Sequence, residues 1–371
     1  MKGGVATFIL HPSAFILPIS FPKPAACAKL SAMDLLRQLG KWALRLAALW
    51  VVYGWAFHTV PPVWNRTDSR RDLVLYYLAA RSVNASAPLY QARPDYGPDS
   101  KPFEYLYPPP FAALIAPLGR LQWLAFARLW TAVLVASFLG YAFGLMRIAG
   151  YRDVGSFGIA LALVTLCFGA KRALALGQID PFLWCVFGAS VWTANKRPFW
   201  SGALLGLAGL IKIYSVWPLF ALPKTERAAF WRGALMVGVA GFALGAVVCG
   251  FGSYVQWARA VLPEAAQGTF NPDNYSLSMA GLRAARALGW NYAGGPLTGL
   301  PKWWLSFAAI AGPLFTIWAT RKLSTRWKLA LVGCAAAWCA PLCWSTYLPL
   351  ALVPLALGWS EIARRGTRGQ V

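Results

Sequence analysis

About ten apolar runs, most of them near the roughly 20 residues that carry a helix across a ~30 Å hydrocarbon core, follow one another along this chain. They fall near residues 41–57, 111–121, 124–146, 154–170, 182–193, 200–222, 233–251, 303–319, 329–340 and 344–359. In lipid a helix satisfies its own backbone hydrogen bonds, so the expectation is an all-α polytopic integral membrane protein. Composition agrees, because only 13% of the 371 residues are charged, against roughly 25% in soluble domains. No stretch reads as a separate soluble domain, and residues 33–371 read as a single transmembrane domain. Residues 1–32 repeat Phe-Ile-Leu at 8–10 and 15–17 and then turn proline-rich, which reads as a doubtful leader or as text upstream of a start at Met33.

The 35 Lys and Arg against 12 Asp and Glu give a formal charge of +23. This excess sits in short turns between apolar runs, where cytoplasmic loops and anionic headgroups call for it, so the partner is membrane lipid and not nucleic acid. Cys167, Cys185, Cys249, Cys334, Cys339 and Cys343 lie in or beside apolar segments without a CxxC pair, and read as small core residues. With His11 and His58 as the two histidines, histidine-based metal or triad chemistry is nearly excluded. Carboxylates, Lys, Arg, Tyr and amides remain for any reaction.

Two long polar loops, 58–107 and 252–301, interrupt the apolar text. Loops of that length in a compact membrane protein are usually functional. The first holds Asp68, Asp72, Asp95, Asp99 and Glu104, five of the twelve acids. Leu73, Tyr76, Tyr77 and Ala80 recur at helical spacing, so Asp72 opens a helix expected along the membrane surface. Pro108, Pro109 and Pro110 close the loop and predict a rigid extended lead-in. Asp95 and Asp99 flank a Gly-Pro turn, but two carboxylates fall far short of an oxygen cage, and no metal or cofactor is expected.

Orientation follows from the basic turns at 147–152, 196–197, 224–232 and 321–328, all expected to be cytoplasmic. Simple alternation fails for the first two. It is repaired if 111–121 dips in and returns on the outer side, and if 200–222 is two short helices bent near Lys212. The first loop, Gln178, Lys212, Asn274 and Trp344 then face one extracytoplasmic cavity, with Lys171 and Arg172 as exceptions to the charge rule.

In this order, Asp72-x3-Tyr76, Tyr107-Pro108-Pro109, Gly177-Gln178-Ile179-Asp180, Gly206-Leu207-Ala208-Gly209-Leu210-Ile211-Lys212-Ile213-Tyr214 and Ala340-Pro341-x2-Trp344 resemble the motifs of glycosyltransferase family 87. The resemblance implies a GT-C-like bundle that takes a sugar from a polyprenyl phosphate, as mannosyl- and arabinosyltransferases of the family do. Two positions depart from the pattern. Thr346 stands where a histidine often follows the last motif, and Asp180 stands where an amide is usual.

An inverting transfer from a lipid phosphate needs one base for the acceptor hydroxyl, because phosphate is already a stable leaving group. Asp72 matches the family's catalytic aspartate by position, with Tyr76 one helical turn on; an Asp before Leu-Val-Leu-Tyr-Tyr is equally an ordinary helix cap. Lys171, Arg172 and Lys212 are candidates for the donor phosphate, or snorkel to headgroups. Gln178 and Asp180 either bind sugar hydroxyls or tie a helix break before Pro181, and Asn274 either lines the acceptor side or is turn chemistry. Trp344 and Tyr347 either stack on sugar or polyprenyl chain or belong to an interfacial belt. The expected reaction moves a hexose or pentose, mannose favoured, to an extracytoplasmic lipid or glycan acceptor at a bacterial inner membrane. The alternatives are a transporter or flippase of lipid-linked sugars, and a polysaccharide ligase or polymerase with a pyrophosphate-linked donor.

Overall fold

The computed structural model describes residues 32–65, 71–90, 105–271, 273–290 and 299–368. Contacts divide the chain into two units, Met1–Leu44 and Arg45–Val371. The described part of the first is the opening half of a single helix. Apart from that helix, everything below concerns the second. Residues 1–31, Asp68, Arg70, Asp95, Asp99 and Glu104 lie outside the described residues, so the readings made on them stay with the sequence.

Among the described residues the secondary structure is helical, with one isolated antiparallel bridge between Asn274 and Trp344. In chain order the α-helices are α1 (Ala32–Gly54), α2 (Val60–Trp64), α3 (Arg71–Asn84), α4 (Pro109–Ile115), α5 (Trp123–Ile148), α6 (Val154–Leu166), α7 (Phe168–Leu176) and α8 (Asp180–Thr193). They continue with α9 (Pro198–Ile211), α10 (Lys224–Cys249), α11 (Phe251–Gln256), α12 (Leu262–Ala265), α13 (Leu277–Ala287), α14 (Gly299–Ala319), α15 (Thr325–Cys339) and α16 (Leu352–Arg368). Three 3₁₀ segments, Ala116–Arg120, Ile213–Ala221 and Ser345–Ala351, fill gaps between them.

Four helical stretches are long and apolar enough to cross a bilayer: Leu35–Trp64, Trp123–Ile148, Lys224–Cys249 and Ser345–Arg365. A fifth arises if α6 and α7, bent by 72°, count as one broken span. Their outer faces stay apolar: Leu235, Val239 and Leu355 are 55, 66 and 66% exposed. Surfaces of that kind are covered by lipid, and the chain is a membrane protein. The number of long apolar helices is smaller than the ten or so runs of the sequence because several runs break. The 154–170 run turns at Cys167, whose backbone is extended. Past it, a Cβ on Gly169 would sit 2.1 Å from the Ser345 carbonyl oxygen, so the bend is shaped by close packing against the start of the last segment. The 200–222 run breaks at Lys212, where the backbone is extended between α9 and the 213–221 segment.

One expectation for the first loop needs correction. Of the three prolines, only Pro108 is extended; Pro109 and Pro110 occupy the first positions of α4, where a missing N–H removes no helix bond. Helix α3 forms where the spacing of Leu73, Tyr76, Tyr77 and Ala80 places it, and it packs one face against the rest of the protein. Leu73, Tyr76, Ala79 and Ala80 are at most 3% exposed, and Asn84 Nδ2 donates to the Ala116 carbonyl at 2.7 Å. Asp72 lies in the first turn of α3, one residue inside the helix, where a carboxylate faces the positive end of the helix dipole.

The segments run between two ends. At one end the basic turns at 147–152, 224–232 and 321–328 meet the last helix. Thr325 donates to Glu226 at 2.8 Å, Arg326 to the Ile148 carbonyl at 3.4 Å, Trp327 to Glu361 at 2.5 Å, and Trp359 to Tyr151 at 2.9 Å. The 196–197 turn joins them through α9 and α10, which approach so closely that a Cβ on Gly233 would meet the Phe199 oxygen at 2.0 Å. At the other end the close of α7, the starts of α4 and α8, the close of α9 and residues 340–347 converge.

Candidate active site

The centre of that second end is a buried ion pair. Asp180 is the first residue of α8, behind Gly177, which closes α7 in the left-handed conformation with φ 73°. Trp130 Nε1 donates to the Gly177 carbonyl at 2.8 Å and fixes this turn against α5. Lys212, extended past the end of α9, brings Nζ to 2.5 Å from Asp180 Oδ1 and donates to Tyr347 Oη at 2.8 Å. The side chains are 1% and 10% exposed.

Thr346 Oγ1 lies 2.5 Å from Asp180 Oδ2 and 2.8 Å from Gln178 Oε1. A hydroxyl has one proton, and the carboxylate, as the stronger acceptor, takes it. Gln178 then presents its amide NH₂ to the threonine oxygen, which reverses the assigned oxygen and nitrogen of that side chain. Asp180 is thus held by a cation, a hydroxyl and the start of a helix.

Two tyrosines connect this pair to the first loop. Tyr76 of α3 and Tyr107, just before the prolines, share a hydrogen bond of 2.8 Å between hydroxyls. The Ile179 amide donates toward Tyr76 Oη at 3.5 Å, which favours Tyr76 as donor to Tyr107. Burial, then each other and the charges of Asp72 and Asp180, hold the Tyr76 hydroxyl well above the usual tyrosine value. Burial, then Asp180 and Asp72, do the same for Tyr107. Both stay protonated at physiological pH and act as donors, not bases. Asp72 stands one helical turn before Tyr76 on α3, and the Ile179 amide that reaches Tyr76 Oη is next to Asp180 in the chain. Tyr90 Oη clamps the Tyr107 carbonyl at 2.7 Å, and Lys212 Nζ lies 5.8 Å from the Tyr107 ring centroid and 4.3 Å from that of Tyr347.

The other predicted site residues take different places. Lys171 is exposed on α7. Arg172 beside it forms an ion pair with Asp273, each side chain about a third exposed. Trp344 is half-buried and its backbone bridges Asn274. Asn274 is fully buried, and its amide is saturated by protein. Nδ2 donates to the Thr269 and Pro341 carbonyls at 3.0 and 2.9 Å, and Oδ1 accepts from the Ser276 and Cys343 amides at 3.2 and 2.9 Å. Two donors and two lone pairs are the whole capacity of an asparagine side chain. Asn274 is therefore a rivet between the second long loop and residues 341–343.

We expect Asn274→Ala to lower stability by about 2–4 kcal/mol, because it strands several buried backbone groups. A melting curve in detergent checks this; an unchanged midpoint with a raised acceptor KM would restore the ligand role.

Tyr107, Tyr214 and Thr346 belong to the network without a chemical signal of their own in the sequence. Tyr107 is marked only by the prolines after it, and Tyr214 by its place two residues past Lys212, with its ring 5.6 Å from that of Tyr347. Among the described residues no three of His, Cys, Asp and Glu gather as a metal set.

The arrangement offers a carboxylate at Asp72, two protonated phenols, and a second carboxylate neutralised by lysine. Comparison with known proteins agrees with a transferase. The model of glycosyltransferase family 87 matches residues 105–358. An alpha-(1->3)-arabinofuranosyltransferase of Corynebacterium glutamicum is 34% identical over 146 residues, covering 36% of this chain and 32% of that protein. The chain thus matches about a third of that relative's length. No solved structure gives a significant match. With more than half of its length matched, including the Gln178, Lys212 and Tyr347 positions, this membrane protein belongs to glycosyltransferase family 87.

Proposed function

We propose that the protein transfers a sugar from a polyprenyl phosphate to an extracytoplasmic lipid or glycan hydroxyl, inverting the anomeric centre. The observation that carries the reading is the meeting of Tyr76, Tyr107, Gln178, Asp180, Lys212 and Tyr347 at one end of the bundle, with Asp72 one helical turn before Tyr76, in a member of this family. The acceptor oxygen attacks the anomeric carbon, the bond from that carbon to the phosphate oxygen breaks, and the electron pair leaves on the phosphate. Asp72 takes the acceptor's proton. The phenol of Tyr107, set in place by its hydrogen bond with Tyr76, and the amide of Gln178 orient sugar hydroxyls, and cations of α7 hold the phosphate. Trp344 and Tyr347 supply aromatic faces for the sugar or the prenyl chain.

In this reading the fold is a GT-C-like bundle with ten crossings: α1, α5, α6 with α7, α8, α9, the 213–221 segment, α10, α14, α15, and the last 3₁₀ segment with α16. The gathering of basic turns at the end away from Asp180 supports a cytoplasmic position for that end and an outward-facing site. The name of the relative adds weight to a pentose beside mannose as the sugar.

Membranes carrying the protein, supplied with polyprenyl-phosphate arabinose, polyprenyl-phosphate mannose and the pyrophosphate-linked forms, test the reading. Transfer from a phosphate-linked donor with release of polyprenyl phosphate is expected. Transfer confined to pyrophosphate donors would make it a ligase or polymerase, and transport without transfer a flippase.

A further inference from the structure

The geometry points to Asp273 as an internal stand-in for a lipid-borne phosphate, occupying Arg172 until that phosphate displaces it. The inference rests on the proposed donor class and assigns to Asp273 the control of donor affinity.

The argument begins with where positive charge is available. Lys212 is committed: Asp180 neutralises it at 2.5 Å in a pair whose acid is 1% exposed, and a second anion would have to compete with a carboxylate that Thr346 also holds. Arg172 and Lys171 are different. They lie on the same helix that leads into Gly177, about 7.5–9 Å along it from that glycine at 1.5 Å per residue. Lys171 is exposed, and the Arg172–Asp273 pair is open to solvent at about a third of each side chain. One acid against two bases leaves this corner with a net positive charge.

The pair is also not what fixes the loop that carries Asp273. The Asp273 amide donates to Asn271 Oδ1 at 2.9 Å, and Arg283 donates to the carbonyls of Asn271, at 3.0 Å, and of Asn274. Asn274 makes its four bonds, the Tyr275 amide donates to the Cys343 carbonyl at 2.5 Å, and Ser276 Oγ donates to the Ala340 carbonyl at 2.6 Å. Backbone on both sides of Asp273 is therefore anchored without Arg172. A half-exposed ion pair adds little to such a frame. What it does is hold a guanidinium, whose fork suits phosphate as well as carboxylate, at the edge of the site. Exchange of one anion for another needs only a side-chain rotation of Asp273.

The test is binding of farnesyl phosphate to the full-length protein in phosphatidylcholine nanodiscs, for the wild type, Arg172→Gln, Asp273→Asn and the swap Arg172→Asp/Asp273→Arg. Arg172→Gln should weaken the Kd about tenfold, the effect of losing one charge-assisted contact. Asp273→Asn should tighten it about threefold or more by removing the competing anion. The swap should bind as poorly as Arg172→Gln. A merely structural pair gives the opposite pattern: both single variants weaken alike and the swap recovers. That result, or an unchanged Kd in Asp273→Asn, overturns the inference. If Arg172→Gln does not fold, Asp273→Asn decides alone, since loss of a structural contact does not tighten binding. Phosphatidylglycerol added to the nanodiscs separates the sources of phosphate; competition equal to that of farnesyl phosphate would reduce the corner to a bulk headgroup contact and overturn the assignment. Membranes that transfer no sugar from polyprenyl phosphates would sink the proposed reaction while leaving these Kd values interpretable. Wrong signs with transfer intact would sink this inference alone.

Discussion

Asp180→Ala is expected to destabilise the protein by about 3–5 kcal/mol and to lower its melting midpoint by about 5–10 °C. The reason is not that the pair is strongly stabilising. Removing two charges from water costs several kcal/mol per ion, and the Coulomb gain at 2.5 Å roughly offsets it. The loss arises because Lys212, 10% exposed, is left without its carboxylate partner, while Thr346 loses its shorter hydrogen bond. Replacing both members, Asp180→Leu with Lys212→Met, should therefore recover most of the midpoint while transfer stays abolished. Thermal unfolding in detergent beside a transfer assay reads both. A double variant as unstable as Asp180→Ala would mean that the pair is itself a net stabiliser, and an active double variant would remove it from the site.

Asp72→Asn is the second large effect. The substitution preserves size and position in the first turn of α3 and removes only the ability to accept a proton. General-base catalysis contributes roughly 10²–10⁴ in rate, so kcat should fall by that amount while donor affinity is kept. Stability should change little, because a carboxylate in the first turn of a helix contributes about 0.3–1 kcal/mol. The two substitutions thus separate the roles proposed for the two acids: Asp180 holding the site together, Asp72 acting on the acceptor.

Much of the scaffold is legible in the sequence because membrane crossing is written in local text. The apolar runs, the basic turns and the Lys interrupting 200–222 all mark features that depend on neighbours along the chain. The bend at Cys167 is not marked in that way. It depends on Gly169 meeting the Ser345 carbonyl, 176 residues away, and no local pattern encodes that contact. The same limit applies to the site. Gln178, Asp180 and Lys212 stand out as polar residues in apolar text, but that Asp180 neutralises Lys212 and that Thr346 joins it are facts about helices α8 and α9 and the last segment folding together. Asn274 is the sharpest case. Its Pro-Asp-Asn-Tyr setting reads as a turn or as a ligand, and only the positions of Pro341 and Cys343 decide that its amide is used up.

The most direct test of the account is single-turnover transfer by purified protein in nanodiscs, with labelled polyprenyl-phosphate arabinose or mannose and wild type beside Asp72→Asn. The account predicts that wild type moves the label to acceptor and releases polyprenyl phosphate one for one. Asp72→Asn should bind the donor equally well and leave it intact over the same interval. Equal turnover by the two proteins would contradict it.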